Sequence, residues 1–438
     1  MPISTFMGLH TSLRGLLAEQ RALDVTSHNV ANANTAGYSR QEAQLQATDA
    51  LALPTGDRLG TGVDVVAYKR IRDSFLDLQY RAQNMQVGAG TTRADGLDQA
   101  ELRLSEPGDN GLAARLNSFW GKWADLANAP DSGAAKQALI SDAKTLVSSV
   151  NALDQGLQTV STQAGDELTS ITATGGQLQQ IGKELAGLNG AIRDTQRVGG
   201  DPNDLLDRRD VLLDQLSSLA QVSVADDGAG SINVTIGGAG APLVSGSALT
   251  WPPPAMSASP GGKIGALMDL SSPTGTIASF RADLANVAQT LTTQVNAIYN
   301  PAAGTDFFAY DPLTATMSLN PAVTAASVVA GSGAAGDNSA ALALSELRGA
   351  TGGADDLYSR FVTRIGTEVA DARRTTQNAS ALSESISDRR QSTAGVSLDE
   401  EMTNLIRFQR GYQAAARAMS TTDTMLDTLI NRTGRVGL

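Results

Sequence analysis

Apolar side chains recur every three or four positions near both ends of the chain. In residues 4–30 they form one narrow strip, which predicts an amphipathic helix about 40 Å long at ~1.5 Å per residue. The members of this strip are Phe6, Leu9, Leu13, Leu16, Leu23 and Val30. A strip of the same rhythm runs through residues 398–430, and its members are Leu398, Met402, Leu405, Tyr412, Met419, Leu426 and Ile430. Because a helix on a globular core usually has a wider apolar face, the two narrow strips predict that the terminal helices pair with each other.

The same periodicity predicts a helical body between the two ends. The predicted helices cover residues 70–106, 111–128, 134–197, 203–220, 277–299 and about 354–392. If residues 134–197 form one helix, its length is on the order of 95 Å, which exceeds the diameter of an ordinary compact domain. Gly175 and Gly176 are the residues at which such a helix could kink. The expected fold class is therefore mainly α, an elongated multi-domain rod of long coiled-coil-like helices.

Short β segments interrupt this helical pattern. Alternating apolar residues on either side of a Gly/Asp turn predict an antiparallel hairpin over 222–236, and residues 306–320 predict a second one. Because the chain leaves the helices and returns to them, we expect nested, discontinuous domains. They are an inner terminal-helix domain (1–68 and 398–438), a helical body (69–220, 270–300 and 341–397) and a small outer β part (221–269 and 301–340).

Charge and composition narrow the range of functions. The net charge is −12, with 33 basic and 45 acidic side chains. Nucleic-acid binding needs concentrated Lys and Arg, so it is not expected. Basic and acidic residues balance in 1–48 and in 398–438, so the excess of acid lies between them. Neutral ends on an acidic middle are suited to ends that pack against copies of themselves. The sequence shows no secretory signal and no apolar stretch that predicts membrane insertion.

Candidate catalytic and ligand-binding chemistry is sparse. There is no cysteine and there are two histidines, His10 and His28, too few for most zinc or histidine-based sites. We find no phosphate-binding loop, serine-hydrolase motif, zinc-protease motif or calcium loop. Asp204, Asp207 and Arg208 have the spacing of ordinary ion pairs on a helix surface. We therefore expect neither an enzyme nor a cofactor or metal site.

The stretch HNVANANTAGYSRQ (28–41) directly follows the first strip. Its asparagines suit a metal or sugar site, a flexible linker or a fixed corner in a larger assembly. Asn and Gly tolerate left-handed backbone geometry, so this stretch can end the helix and reverse the chain. The residues that define this turn motif are Asn29, Asn32, Asn34, Gly37 and Tyr38.

Two motifs carry a resemblance to a known family. SHNVANANTAGYSRQ resembles the N-terminal signature of bacterial flagellar rod, hook and hook-associated proteins, and the segment 395–431 resembles their C-terminal helix. The middle of the chain, including DPNDLLDRRDVLLDQLSSLAQVSV, is similar to that of the proteins at the hook–filament junction. Familiar members have a larger β insertion before the final helices, so we expect a reduced outer β part here.

The resemblance implies a structural subunit of the flagellum at the junction of hook and filament. It implies export by the flagellar type III apparatus, so the protein is transiently cytoplasmic and then secreted. It also implies assembly through the two terminal helices. The implied partners are copies of the same chain in a ring, the hook protein, hook-associated protein 3, and a cytoplasmic export chaperone on the C-terminal helix.

Three alternatives remain open at this point. The chain could be another flagellar axial protein, namely hook-associated protein 3 or a rod or hook subunit. It could be a different secreted helical interaction protein, such as a type III translocator or an adhesin. An enzyme that acts on the cell wall is the third alternative, although no recognisable catalytic set supports it.

Overall fold

The computed structural model describes residues 6–52, 58–228, 230–332, 334 and 336–432. Its α-helices are α1 (Met7–Asn32), α2 (Ser74–Leu104), α3 (Leu112–Asn128), α4 (Gly133–Thr172), α5 (Gln177–Arg197), α6 (Asn203–Leu219), α7 (Gly262–Ser271), α8 (Thr276–Ala303), α9 (Ser339–Ser345), α10 (Ala354–Ala394) and α11 (Leu398–Asp427). A short π-helix, Thr428–Arg432, continues α11. The predicted helices are present with nearly the predicted bounds, except that the run 134–197 forms two helices.

The strands form small antiparallel sheets. They are β1 (Gln41–Ala47), β2 (Leu51–Ala52), β3 (Arg58–Leu59), β4 (Val63–Arg70), β5 (Val222–Asp226), β6 (Ile232–Ile236), β7 (Val244–Ser245), β8 (Ala248–Leu249), β9 (Phe308–Asp311) and β10 (Thr316–Leu319). Strands β5 to β8 form a four-stranded sheet in sequence order, and β9 pairs with β10. These pairs include both predicted hairpins. The β1–β4 ribbon, with Gln41 opposite Arg70, was not predicted because its strands are polar and alternate weakly.

The long periodic run 134–197 is two helices. Helix α4 ends at Thr172 and α5 begins at Gln177. Gly175 has a φ of +86°, and a Cβ on Gly176 would lie 2.3 Å from the carbonyl oxygen of Ser170. The prediction of a possible kink at these glycines was therefore right about the place, but the structure has a full break. At ~1.5 Å per residue, the 40 residues of α4 still span about 60 Å.

One large hydrophobic core holds the body together. Its buried residues run from Ala94 to Ala372. At one end, Trp123 of α3 packs with Phe307 and Tyr299, and the ring centroids of these three residues lie 5.0–6.0 Å apart. Among the described residues, this core includes no side chain of α1, the β1–β4 ribbon or α11. The terminal elements therefore lie outside the apolar centre of the molecule.

The molecule is elongated. A compact protein of 45.3 kDa is expected to expose roughly 15,800 Å² of surface, whereas this chain exposes 22755 Å². Helices α2 and α10 pack side by side along much of their length, and α1 packs on α11. The predicted fold class is confirmed: a mainly α, elongated structure with paired terminal helices and small antiparallel β parts.

Candidate assembly site at the terminal helices

Helices α1 and α11 form an antiparallel pair, called here the terminal-helix pair. A Cβ on Gly8 would lie 3.6 Å from the side chain of Thr422, and one on Gly15 would lie 3.9 Å from the Cβ of Ala415. The most deeply buried apolar residues of α1 are Ala18 and Ala22, which are 3% and 1% exposed. The two helices therefore meet through small residues, and this permits a close approach of their backbones.

The two predicted strips occupy different places relative to this contact. In α1, Phe6 and Leu13 are 48% and 37% exposed, whereas the other four members are half-buried: Leu9, Leu16, Leu23 and Val30. In α11, Leu426 is buried, and Leu405, Tyr412 and Met419 are half-buried. Leu398, Met402 and Ile430 are 51%, 51% and 68% exposed.

Further large apolar side chains are exposed on the terminal-helix pair that the heptad pattern did not include. They are Leu17, Ile406, Met425 and Leu429. In α1 the exposed side chains Phe6, Leu13 and Leu17 lie on a different face from Ala18 and Ala22. A single chain thus covers one face of the pair and leaves apolar side chains on another.

The corner that follows α1, residues 33–40, is organised by one buried asparagine. Asn29 is 1% exposed, and its Nδ2 donates to the carbonyl of Gln41 (2.9 Å) and to Glu401 Oε2 (3.2 Å). Its Oδ1 accepts from the backbone N–H of Gln41 (3.0 Å) and from the Tyr38 hydroxyl (2.8 Å). Asn29 therefore joins α1, the corner, β1 and α11, and all its polar atoms are used.

The other residues of the turn motif have local roles. Asn32 donates to the carbonyl of His28 at 3.0 Å and accepts from the Thr35 hydroxyl at 3.2 Å, near the end of α1. Asn34 is exposed. Gly37 has a φ of +78°, and a Cβ on it would lie 2.1 Å from Cγ2 of Val211 in α6. The glycine therefore supplies both the left-handed backbone and the close approach of the corner to the body.

The Tyr38 side chain lies against the end of α1. Its hydroxyl lies 3.1 Å from Nδ1 of His28, and the two rings meet edge to face. Burial raises the pKa of Tyr38 above its ordinary value, and the nearby carboxylates of Asp204, Asp207 and Glu401 raise it further. The hydroxyl therefore keeps its proton and remains a donor to Asn29.

A buried carboxylate ties α11 to the corner. Glu401 is 1% exposed, and its Oε1 lies 2.7 Å from Nε of Arg40, a close ion pair without the alignment of a hydrogen bond. Arg40 also pairs with the more exposed Glu400 at 2.8 Å. Because an unpaired buried charge is costly, Arg40 and Asn29 are what make Glu401 tolerable at this position.

On the other side of the corner lies the acidic face of α6, which consists of Asp204, Asp207, Asp210 and Asp214. The interpretation of Asp204 and Asp207 as ordinary surface ion pairs within one helix was wrong. Asp207 is 4% exposed, and it accepts from the backbone N–H and hydroxyl of Ser39 at 2.9 and 2.8 Å. Asp204 accepts from the side chain of Gln41 at 2.9 Å and lies 3.7 Å from His28.

Four arginines neutralise three aspartates of this face and Asp77 of α2. These eight residues are called here the polar junction: Arg70, Arg72, Arg81, Arg390, Asp77, Asp207, Asp210 and Asp214. Arg70 reaches Asp207 and Asp210 at 2.7 and 3.0 Å, and Arg390 reaches Asp77 and Asp214 at 2.9 and 2.8 Å. The junction therefore joins the end of β4 to α2, α6 and α10.

The charge pairing overcomes the penalty of burial at the centre of the junction. Burial pushes the pKa of Asp210 upward, but Arg72, Arg70 and Arg81 together hold it below its ordinary value. Asp210 is therefore ionised at neutral pH. A signal for this site was present in the sequence, because the aspartates recur at three- and four-residue steps along one face of a predicted helix.

The described residues show little that suggests other chemistry. Within them, no group of His, Asp and Glu side chains is arranged to hold a metal ion. No helix in that part of the chain has the length and apolar character needed to cross a bilayer.

Models of three flagellar protein families match successive parts of the chain. The family described as flagellar hook-associated protein FlgK helical domain matches residues 97–250. The C-terminal family of flagellar basal body rod FlgEFG proteins matches 389–432, and the flagella basal body rod protein family matches 9–38. The two rod-family matches thus fall on the terminal-helix pair and the corner.

Individual relatives agree with these matches. The flagellar hook-associated protein 1 of Bacillus subtilis (strain 168) is 30% identical over an alignment of 506 residues that covers 98% of this chain and 99% of that protein. That of Escherichia coli (strain K12) is 26% identical, with coverage of 97% and 99%. A solved structure of the flagellar hook junction protein FlgK from Burkholderia pseudomallei covers 53% of this chain and 47% of that one, with 26% identity and a TM-score of 0.46.

Proposed function

Since the chain belongs to the flagellar hook-associated protein 1 family, a family of structural proteins of the bacterial flagellum, we propose that it forms the junction between hook and filament. In this proposal identical subunits form a ring whose neighbours are the hook protein and hook-associated protein 3. The subunit is exported by the flagellar type III apparatus, and a cytoplasmic chaperone holds α11 before export.

The observation that carries the proposal is the exposed apolar surface of the terminal-helix pair. Leu13 and Leu17 of α1 and Phe6 just before it are 37–48% exposed. Met425 of α11 and Leu429 of the π-helix that continues it are 61% and 55% exposed. Gly8 faces Thr422 in the antiparallel pair, so these side chains lie toward the same end of it. Contiguous exposed apolar surface marks an interaction site, and a copy of the same helix pair is the partner that a ring supplies.

The domain division follows from the same proposal. The terminal-helix pair with the β1–β4 ribbon is the inner domain, the helices around the main core are the body, and the small sheets form the outer part. The alignment with the Bacillus subtilis relative extends over 506 residues, more than the 438 of this chain. That relative therefore has segments that this chain lacks, and in our proposal they belong to the outer part.

The test replaces exposed apolar side chains without disturbing the contact between α1 and α11. A Leu13→Gln/Leu17→Gln variant is expressed in a strain that lacks its own copy of the gene. A neighbour can bury the two fifths of each side chain that is still exposed, so their loss costs about 0.6–1.2 kcal/mol each per contact, and the two together weaken each contact about tenfold. We expect loss of swimming and release of flagellin into the medium, while the variant itself is still exported.

The matched control is Leu102→Gln/Leu382→Gln. These leucines are 76% and 52% exposed on the body helices α2 and α10, and we expect normal filaments. A Leu13→Gln/Leu17→Gln strain with normal filaments would contradict assembly through this face. A variant that is retained in the cell would show that the same side chains serve export instead.

A further inference from the structure

The terminal-helix pair and the body are two separately packed parts of one subunit. The chain passes between them twice, through residues 71–73 before α2 and through residues 395–397 after α10. Among the described residues, the main core contains side chains of the body and of the sheets attached to it, and none of α1, the β1–β4 ribbon or α11. The position of one part relative to the other is therefore determined by what lies between them, at the corner and the acidic face of α6.

The contacts at this place are predominantly polar. Ser39 donates twice to Asp207, Arg70 pairs with Asp207 and Asp210, and Gln41 donates to Asp204. An apolar side chain also contacts the corner here, because Val211 of α6 lies directly against Gly37.

Polar contacts of this kind differ from apolar burial in how they respond to solvent. When they separate, water replaces the lost hydrogen bonds and salt screens the charges. No large apolar surface is exposed in the process, so the separated state is not strongly penalised by the hydrophobic effect. The same separation in the main core, where side chains such as Trp123 and Phe307 are 0% exposed, would unfold the body.

We propose that the acidic face of α6 is a releasable docking site for the corner of its own chain, and that Asp207 is the residue that positions the terminal-helix pair. With the corner docked, the pair has one defined angle to the body. With the corner released, the pair rotates about residues 71–73 and 395–397 while both parts stay folded. In the junction proposed above, this release lets one subunit fit both the hook and the filament.

The release can be measured on the isolated full-length protein. Because the chain has no cysteine, spin labels can be placed at chosen exposed sites. The pair Gln20–Thr375 reports on the terminal-helix pair relative to the body. The pair Gln20–Gln413 reports within the terminal-helix pair, and Ser141–Thr375 reports within the body.

In the parent protein at low salt we expect a narrow distance distribution for all three pairs. Asp207→Asn should broaden the Gln20–Thr375 distribution at least twofold and leave the other two unchanged. A salt concentration of about 1 M, at which the screening length is only ~3 Å, should act in the same direction on the parent protein. Asp194→Asn, which removes an exposed carboxylate that pairs within α5, is the matched control and should change none of the three.

Three results would overturn the proposal. The first is an unchanged Gln20–Thr375 distribution in Asp207→Asn. The second is simultaneous broadening of the Gln20–Gln413 distance distribution, which would mean that the terminal-helix pair unfolds instead of rotating as a unit. The third is a parent distribution already as broad as that of the variant. All three are independent of motility, so they are distinguishable from failure of the proposed function.

Discussion

At the scale of single residues, the site depends on the complete use of a few buried polar groups. Asn29 makes four hydrogen bonds to three other segments of the chain. An amide side chain is suited to this position because it offers two donors and an acceptor oxygen with two lone pairs. Aspartate would lose both donors and would add a charge next to Glu401.

Replacement of Asn29 by alanine should loosen the corner without affecting the body. The backbone N–H of Gln41 and the carboxylate of Glu401 would each lose a buried partner, at a cost of about 2 kcal/mol in local stability. Hydrogen exchange measured by mass spectrometry should therefore become roughly 30-fold faster in the last turns of α1 and in β1. Exchange in α3 and α4 should stay at the parental rate.

The control for this substitution is Asn34→Ala, in the same motif. Asn34 is exposed, so its removal should leave exchange in α1 unchanged. Equal effects of the two substitutions would contradict the role assigned to Asn29.

The sequence alone could locate these residues but could not distinguish their roles. Asn29, Asn32 and Asn34 alternate with apolar or small residues in one short stretch, and spacing cannot tell which amide is buried. That depends on Glu401, which lies 372 positions further along the chain. Asp207 was missed for the same reason, because its partners Ser39 and Arg70 come from distant segments.

At the scale of elements, the pairing of α1 and α11 depends on small residues. Gly8 and Gly15 line the contact on α1, and a Cβ on Gly411 of α11 would lie 2.5 Å from the carboxylate of Glu19. These small residues permit the close approach of the two helices within one chain.

Replacement of Gly15 by leucine should separate the two helices. A Cβ on Gly15 would already lie 3.9 Å from the Cβ of Ala415, and overpacking at such a contact typically costs about 1–3 kcal/mol. We expect the axes of α1 and α11 to move toward the upper part of the ~8–10 Å range of separations that packed helices show. The distance between spin labels at Gln20 and Gln413 should increase with it.

Ala31→Leu is the matched control for this substitution. Ala31 lies on α1 but is exposed, so the Gln20–Gln413 label distance in Ala31→Leu should equal that of the parent protein. An unchanged Gln20–Gln413 distance in Gly15→Leu would show that the contact between the helices has room for larger side chains.

Periodicity was sufficient to predict most helices but not the face on which they pack. Leucines at heptad spacing indicated where α1 and α11 lie, and the structure confirms that the two helices pair. Periodicity cannot show whether a leucine strip contacts a helix of the same chain or is left exposed, because both give the same spacing. Helix α7 and the β1–β4 ribbon were missed because glycine and polar residues obscure their patterns.

At the scale of the whole molecule, charge and apolar burial have separate roles. The apolar core stabilises the body, and the polar junction connects the end of the ribbon to three body helices. Conditions that change ionisation should therefore affect the connection before they affect the core.

Acid should weaken the polar junction first. The pKa of Asp210 is held below its ordinary value in the folded chain, so its ionised form contributes stability above the ordinary pKa of about 4. That contribution is lost as the pH falls below about 4 and through the depressed pKa. Hydrogen exchange on acidification should show loss of protection at the corner and in β4 before α3 and α8.

In Asp210→Asn, the corner and β4 should be less protected from hydrogen exchange at pH 7 than in the parent protein. Their protection should also depend less on pH between about 2 and 5. Asp131→Asn, at an exposed position between α3 and α4, should keep the parental profile. Simultaneous loss of protection at the junction and in the core would contradict this order of events.

The antiparallel terminal-helix pair also constrains the order in which the chain can fold. Gly8 lies opposite Thr422, so two segments that are far apart in the sequence must meet. Closure of so long a loop is slow, because its entropy is lost before any contact forms. A folded body removes most of this cost, since it already holds the start of α2 close to the end of α10 through the ion pair between Asp77 and Arg390. The folded body therefore brings α1 and α11 close together, and the terminal-helix pair is the last part of the subunit to fold.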